Sequence, residues 1–484
     1  MSASASVESL TVYVNRGITP KYTVEKEGSI LILNQKCIRG FKVSLEPARL
    51  NDLSKRKITE GKLLEKYDVL INSTGVGTLG RVAQFYGESG SATVDSHVTI
   101  VRPNADLIDP VYFGYIIKSK QQLIEGFAEG TTGQTELSRD SVKELLVDFV
   151  EDKVKQKEIG QALLAIDKKI ELNRQTNQTL EHIAQAIFKS WFVDFEPTRA
   201  KIAAKQIRQA RQDGERSAAL KAALFADGRW PEAVAAAIAE GDPERAAMAA
   251  ISGKALDELD QLSPEQKEQL LTTAALFPDA LVDSELGGIP KGWEVKALDE
   301  IAHYQNGLAL QKFRPEDENN FLPVLKIAQL KKGFADGEEK ASPNIKPECI
   351  VDNGDVVFSW SGSLVVDVWC GGKAALNQHL FKVTSPDYPK WFYCYWTKHH
   401  LETFQQVAAD KAVTMGHIKR SHLAEAKCIV PSCDLDQFSL MANFLEKQIE
   451  QRLESIALQE IRDSLLPKLL SGESSIPEHT EHSV

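Results

Sequence analysis

Two short loops hold side chains of this sequence that could do chemistry. Ser73, Thr74 and Arg81 lie in Ser73-Thr74-Gly75-Val76-Gly77-Thr78-Leu79-Gly80-Arg81, and Thr131, Thr132 and Gln134 lie in Gly130-Thr131-Thr132-Gly133-Gln134-Thr135. Hydroxyl, amide and guanidinium groups on loops suit hydrogen bonds to phosphate oxygens and base edges. The same residues also build ordinary turns. Neither loop ends in Gly-Lys-Ser/Thr, which excludes a P-loop. The chain also lacks a dinucleotide fingerprint opening a helix, His-Glu-x-x-His, Gly-x-Ser-x-Gly and the Asn/Asp-Pro-Pro-aromatic motif of amino-methyltransferases. His379, His399, His400, His417 and His422 crowd the last third. No carboxylate or cysteine stands at ligand spacing around them, so polar contacts are expected there and no metal.

Duplication changes the weight of the loops. Lys66-Tyr67-Asp68-Val69-Leu70-Ile71-Asn72-Ser73-Thr74-Gly75 is matched by Asn353-Gly354-Asp355-Val356-Val357-Phe358-Ser359-Trp360-Ser361-Gly362, and Ala92-Thr93-Val94-Asp95-Ser96-His97 by Ala374-Ala375-Leu376-Asn377-Gln378-His379. Ser138-Arg139-Asp140-Ser141-Val142 is matched by Lys419-Arg420-Ser421-His422-Leu423. The offsets run from 287 through 282 to about 281, as small loop deletions between related modules produce. Two similar modules suit a two-part ligand. The candidate nucleic-acid contacts are Gln35, Lys36, Ser73, Thr74, Arg81, His97, Thr131, Thr132, Gln134 and Arg139 in the first module. In the second they are Gln329, Ser359, Ser361, Gln378, His379, Lys411, Thr414, His417, Lys419 and Arg420.

The elements that position these loops are short β-rich runs (Leu10 to Asn15, Ile30 to Leu33, Val69 to Ile71, Val98 to Val101) and a helical start at Ser138 to Leu146. After them a heptad seam runs through Ile159, Leu163, Ile166, Ile170, Asn173, Asn177, Leu180, Ala184, Ile187 and Trp191. That alternation predicts one helix from Val154 to Trp191, about 60 Å long, needing a partner helix. The repeat supplies one from about Leu435 to Leu466, with Phe438, Ala442, Leu445, Ile449, Ile456, Leu466 and Leu470 at seam positions, Arg452, Gln459 and Asp463 interrupting its weaker second half, and Pro467 and Ser471-Gly472 as its end. Asn173 and Asn177 weaken packing but could fix register or meet a partner subunit.

The expected architecture is α+β: two similar globular domains (1–150 and 285–434), two long coiled-coil helices (151–196 and 435–472), a helical insertion with an acidic, solvated surface (197–284) and a flexible tail (473–484). The net charge of −11 argues weakly against a nucleic-acid binder until it is divided along the chain. Met1 to Val150 carries 18 basic and 18 acidic residues, and Glu285 to Leu440 carries 17 and 20. The insertion holds 11 against 14, and the chain after Met441 holds 4 against 8. Locally the modules are therefore neutral on the question. The six cysteines show no paired spacing, so free buried thiols are expected. With neither a basic leader nor an 18-residue apolar run, a cytoplasmic protein is expected.

The run Leu163-Leu164-Ala165-Ile166-Asp167-Lys168-Lys169-Ile170-Glu171-Leu172-Asn173-Arg174-Gln175-Thr176-Asn177-Gln178-Thr179-Leu180-Glu181, followed by Phe188-Lys189-Ser190-Trp191-Phe192-Val193-Asp194-Phe195-Glu196-Pro197, resembles the central conserved region of type I restriction-modification specificity subunits. So do Gly288-Ile289-Pro290-Lys291-Gly292-Trp293 and Ile461-Arg462-Asp463-Ser464-Leu465-Leu466-Pro467-Lys468-Leu469-Leu470-Ser471-Gly472. The resemblance covers nearly the whole chain. It implies two target-recognition domains, each reading half of a bipartite DNA site, with the long helices packed antiparallel as a spacer. It also implies two methylation subunits using S-adenosylmethionine for adenine methylation, restriction subunits using ATP and Mg2+ for cleavage, and no cofactor on this chain itself. One departure stands out: the first module lacks the Pro-x-Gly-Trp opening and begins almost directly at Val7 to Gly17, as a shortened first strand or an upstream start codon would produce.

The expectation is a non-catalytic DNA-recognition subunit. Ile166, Ile170, Asn173, Asn177, Leu180, Trp191, Leu445, Ile449, Ile456 and Leu466 are expected to serve the coiled coil or partner subunits. A specificity subunit serving a methyltransferase alone has the same sequence features. The rival from another class is a coiled-coil scaffold whose heads bind protein.

Overall fold

The computed structural model describes residues 2–127, 136–213, 217–226, 228–410 and 416–473. The chain divides into two units, Met1–Leu172 with Ser455–Val484, and Asn173–Glu454.

In the first unit, strands rich in β-branched residues form an antiparallel sheet in the order Thr11–Arg16, Val98–Pro103, Val69–Asn72, Val82–Gln84. Val69–Asn72 is buried on both faces, which is why it reads as a continuous apolar run instead of alternating. A second sheet is ordered Ala92–Val94, Ser29–Leu33, Arg49–Asp52, Tyr22–Thr23. The helix Pro110–Ser119 starts on Asp109, whose carboxylate accepts the amide of Tyr112, and supplies Tyr112, Phe113, Ile116 and Ile117 to the core. The helical start at Ser138 is shorter than its apolar pattern suggests. The helix is Arg139–Lys143, and Leu146–Val150 is a strand, because its residues pair with Ser2–Ser6. That pairing also corrects the reading of a shortened first strand. Ser-Ala-Ser-Ala-Ser lacks β propensity, and the partner strand holds it extended.

The second unit repeats the first sheet and three strands of the second, whose fourth strand joins at the opposite edge. The first is ordered His303–Asn306, Leu380–Thr384, Val356–Ser359, Val366–Val368, and the second Lys340–Ala341, Leu322–Leu325, Ala374–Leu376, Ile350–Val351. Register repeats as well: Val98 faces Asn72 in one module, and Leu380 faces Ser359 in the other. Glu294–Ala297 pairs with Lys427–Val430 where Ser2–Ser6 pairs with Leu146–Val150. Trp293 of the Pro-x-Gly-Trp run is buried and stacks on Phe192 at 5.9 Å, and Gly292 takes the turn before it at φ +85°.

The central helix spans Lys153–Phe188 and continues through one π-helical turn, Lys189–Val193. None of its ten seam residues is exposed. The distal helix spans Ser439–Ser471 and runs through Pro467. Pro467 does not end the helix. Burial of Leu466, Leu469 and Leu470 in the first unit's core outweighs the roughly 3 kcal/mol that an internal proline costs. The end comes at Gly472, φ +76°. The distal seam is interrupted where Gln459 and Asp463 are exposed, while Met441 and Gln448 are buried and Arg452, Ser455 and Arg462 half-buried. Its middle is polar, with Gln448, Arg452 and Ser455 on the side away from solvent. Within each unit the two helices meet antiparallel, Asp167 with Arg462 in the first, and Asn173 with Glu454 and Asn177 with Gln448 in the second.

The described residues from 196 to 275 form six helices (Glu196–Gln212, Ser217–Phe225, Glu232–Glu240, Pro243–Ser252, Leu256–Asp260, Pro264–Ala275) with a core of their own. The helical insertion expected there is a packed bundle. Its alanines at 200, 203, 204, 237, 246, 247 and 249 are buried, letting helices approach closely enough that Gly241 sits against the Arg208 backbone. All six cysteines are free, five of them buried. Among the described residues, no helix is long and apolar enough to cross a membrane.

Candidate nucleic-acid interface

Strand periodicity decides which loop residues face outward. Asn72, Ser73 and Thr74 follow one another off a sheet strand, so alternate side chains turn inward and outward. Ser73 is fully buried and shares a 2.6 Å hydrogen bond with Thr99. Thr74 is half-buried, and its Oγ1 lies 2.7 Å from His97 Nδ1. The second module builds the same pair, with Ser361 Oγ lying 2.8 Å from His379 Nδ1. Ser359, like Ser73, is fully buried, its hydroxyl donating to Ser363 O and accepting from Val365 N. Ser73 and Ser359 thus shape the site from inside and do not reach a ligand.

Two hydrogen bonds fix the backbone of each histidine. His97 N donates to Asp95 Oδ1 at 2.9 Å and its carbonyl accepts from Ser73 N at 2.8 Å. His379 N donates to Asn377 Oδ1 at 3.2 Å and its carbonyl accepts from Trp360 N at 3.3 Å. Below the turn lies a glycine in each module. A Cβ on Gly17 would stand 1.9 Å from Val94 O, and one on Gly307 2.3 Å from Leu376 O. No larger residue permits that approach.

Around the first pair, Gln35 and Thr78 share a hydrogen bond at 3.3 Å, and Asn72 Nδ2 donates to Gln35 O. Arg81 Nη2 donates to Gly77 O across its own loop, and Arg139 Nη1 to Asn15 Oδ1. Arg16 pairs with Glu136, whose backbone bridges to Thr74, and donates to Leu137 O at 2.7 Å. Lys36 is exposed beside the Asn34 cap. Around the second pair, Trp360 lies against the rings of His379 and His417, and His417 bridges to Ser361 as Glu136 does to Thr74. Arg420, at the place of Arg139, donates to Tyr304 O and stands over the Phe381 ring. Lys419 and Arg420 are exposed, and Gln378 is half-buried. Gln329 is half-buried in the short helix Ile327–Lys332. Thr131, Thr132, Gln134, Lys411 and Thr414 lie outside the described residues.

Trp360, Arg16, Asn15 and Glu136 are absent from the sequence candidates. Only Trp360 leaves a signal, as the repeat partner of Ser73. The other three arrive from distant strands and loops. His399 and His400 take no part in the site. His400 stacks on Trp396 and His399 meets it edge-on, and burial together with the neighbouring His399 pushes the His400 imidazole down to about 4, so it stays neutral. Among the described residues no His, Cys, Asp and Glu group suited to a metal comes together.

Of the helix candidates, Trp191 is interior. It is 1% exposed between Phe277 and Phe438, so it packs this chain's own core and cannot meet a partner subunit. Leu445 and Leu466 are likewise buried, and Asn173 is 1% exposed. Ile166, Ile170, Asn177, Leu180, Ile449 and Ile456 remain half-buried.

A duplicated α+β head carrying the same polar loop site in each copy defines a paired recognition protein. The chain belongs to the family of type I restriction modification DNA specificity domains, whose model matches residues 22–182 and 290–459. It is 27% identical to the type I restriction enzyme HindI specificity subunit of Haemophilus influenzae, over 95% of this chain and 97% of that one. It is 24% identical to the MjaIX specificity subunit of Methanocaldococcus jannaschii, over 76% of this chain and 69% of that one. It shares its fold with the crystal structure of the type I restriction-modification S subunit from M. genitalium, at TM-score 0.51 and 14% identity, covering 97% and 96% of the two chains.

Proposed function

We propose that this chain is the DNA sequence-recognition subunit of a type I restriction-modification complex, each α+β module reading one half of a bipartite site. The observation that carries the reading is the hydroxyl–imidazole pair built twice, at equivalent places in two modules of a DNA-specificity family. Exposed Lys36, Arg139, Lys419 and Arg420, with Arg81, supply charge suited to phosphates near each pair. The chain itself catalyses nothing. Methylation subunits would bring S-adenosylmethionine and adenine methylation, and restriction subunits would bring ATP, Mg2+ and cleavage. The half-buried seam residues of the long helices are the places for those partners to touch.

The test is DNA affinity of the complex with its methylation subunits, measured against salt. Alanine at Lys36, Arg81, Arg139, Lys411, Lys419 or Arg420 is expected to weaken binding, each lost phosphate contact lowering the slope of log affinity on log salt by about 0.9. Unchanged affinity and slope in all six variants would contradict the reading.

A further inference from the structure

In the second module both nitrogens of the His379 ring are engaged. Nδ1 lies 2.8 Å from Ser361 Oγ, and Nε2 lies 3.3 Å from Gln378 Nε2. An amide nitrogen only donates, so Nε2 accepts and the ring proton sits on Nδ1, donated to Ser361. This contact uses one N–H of Gln378 and aims the rest of its amide. What remains is one acceptor, Oε1, beside one donor, the second N–H. That arrangement matches the N7 acceptor and N6 amino donor of adenine in the major groove.

The first module has the same frame with a different outward group. Ser96 stands where Gln378 stands, and the His97 ring is exposed with Nδ1 held by Thr74. Among the described residues its Nε2 is left for an outside partner. A ring that served packing alone would not need its backbone, its Nδ1 and the glycine beneath its turn fixed alike in both copies.

We propose that His97 and the Gln378–His379 pair are specificity-determining residues, one in each half-site, and that Gln378 reads an adenine. The inference rests on the DNA-recognition reading above. It is tested in the complete complex with methylation subunits, by genome-wide methylation mapping and by affinity for duplexes carrying single base-pair changes. Gln378→Ala is expected to relax one A·T position in one half-site, discrimination there falling about 5- to 150-fold. His97→Ala is expected to relax one position of the other half-site. Thr74→Val, which removes only the positioning hydroxyl, should relax the same position as His97→Ala by a smaller factor. Uniform weakening at every position, an unchanged motif, or relaxation by Gln378→Ala at a position other than an adenine would overturn the proposal. If His97→Ala does not assemble, His97→Gln is read in the same way. A wild-type complex with no two-part motif would instead defeat the DNA-recognition reading itself.

Discussion

Lys118 Nζ donates to Asp167 Oδ2 at 3.1 Å, from a side chain only 8% exposed. Asp167 sits on the central helix, where it also accepts from Tyr115 OH at 2.8 Å and from Arg462 Nη1 of the distal helix at 2.6 Å. One carboxylate thus ties the recognition module's helix to both long helices of its unit. The second unit uses the equivalent lysine, Lys398, which donates to Glu181 at 2.6 Å.

Burial raises the pKa of Asp167, but Lys118 and Arg462 lower it further, so its carboxyl is held below the ordinary 3.8. A depressed carboxylate contributes stability that is present above its unfolded pKa and lost as pH falls through the folded one. Asp167→Asn is expected to lower the melting temperature at pH 7 and to flatten the acid limb of the curve below about pH 4. Asp167→Ala, which strands buried Lys118, should cost about 3 to 5 kcal/mol. Thermal melts from pH 3 to 7 check both, and parallel acid limbs for the wild type and Asp167→Asn would contradict the assignment.

Gly17→Ala and Gly307→Ala place a methyl within 2.3 Å of carbonyl oxygens beneath the two imidazole turns. Each should impair its own module only, by more than about 2 kcal/mol. Hydrogen exchange over 92–100 and 374–382 reads the effect. Gly17→Ala is expected to deprotect the first segment and leave the second as it was.

The two seam asparagines should respond oppositely. Asn173 Nδ2 donates to Glu454 at 2.7 Å, so Asn173→Ala loses a bond to a charged group, at about 1.5 to 3 kcal/mol. Asn177 keeps a buried Oδ1 without a partner, so Asn177→Leu should stabilise by about 1 kcal/mol while relaxing helix register. Urea titrations with the two variants would contradict this if both moved in one direction.

Trp293 packs among Phe192, Phe195 and Phe277. Trp293→Ala is expected to cost about 3 to 5 kcal/mol and to expose the cluster. Near-ultraviolet circular dichroism and melting measure it, and a loss under 1 kcal/mol would show that the cluster is not needed.

Periodicity and repetition make much of this molecule legible in its residue order. The seam from Ile159 to Trp191 and the module repeat are written in residue spacing, because burial acts on every turn and every strand. Ser2–Ser6 is not legible there, since a weak sequence becomes a strand only when Leu146–Val150 lies beside it. Gln448, Arg452 and Arg462 hide the distal seam because they meet polar partners, such as Asp367 for Arg452. Within the site, Thr74 and His97 are separately readable from the repeat, but their 2.7 Å pairing depends on two loops brought together by the sheet.

Whether each module reads half of one DNA site is decided by genome-wide methylation mapping. The mapping is done in a host with this chain and its methylation partners, in one without the chain, and with residues 1–150 exchanged for those of another family member. A two-part motif that requires the chain is expected, with only one half altered by the exchange. Absence of a chain-dependent motif, or alteration of both halves together, would contradict half-site reading by separate modules.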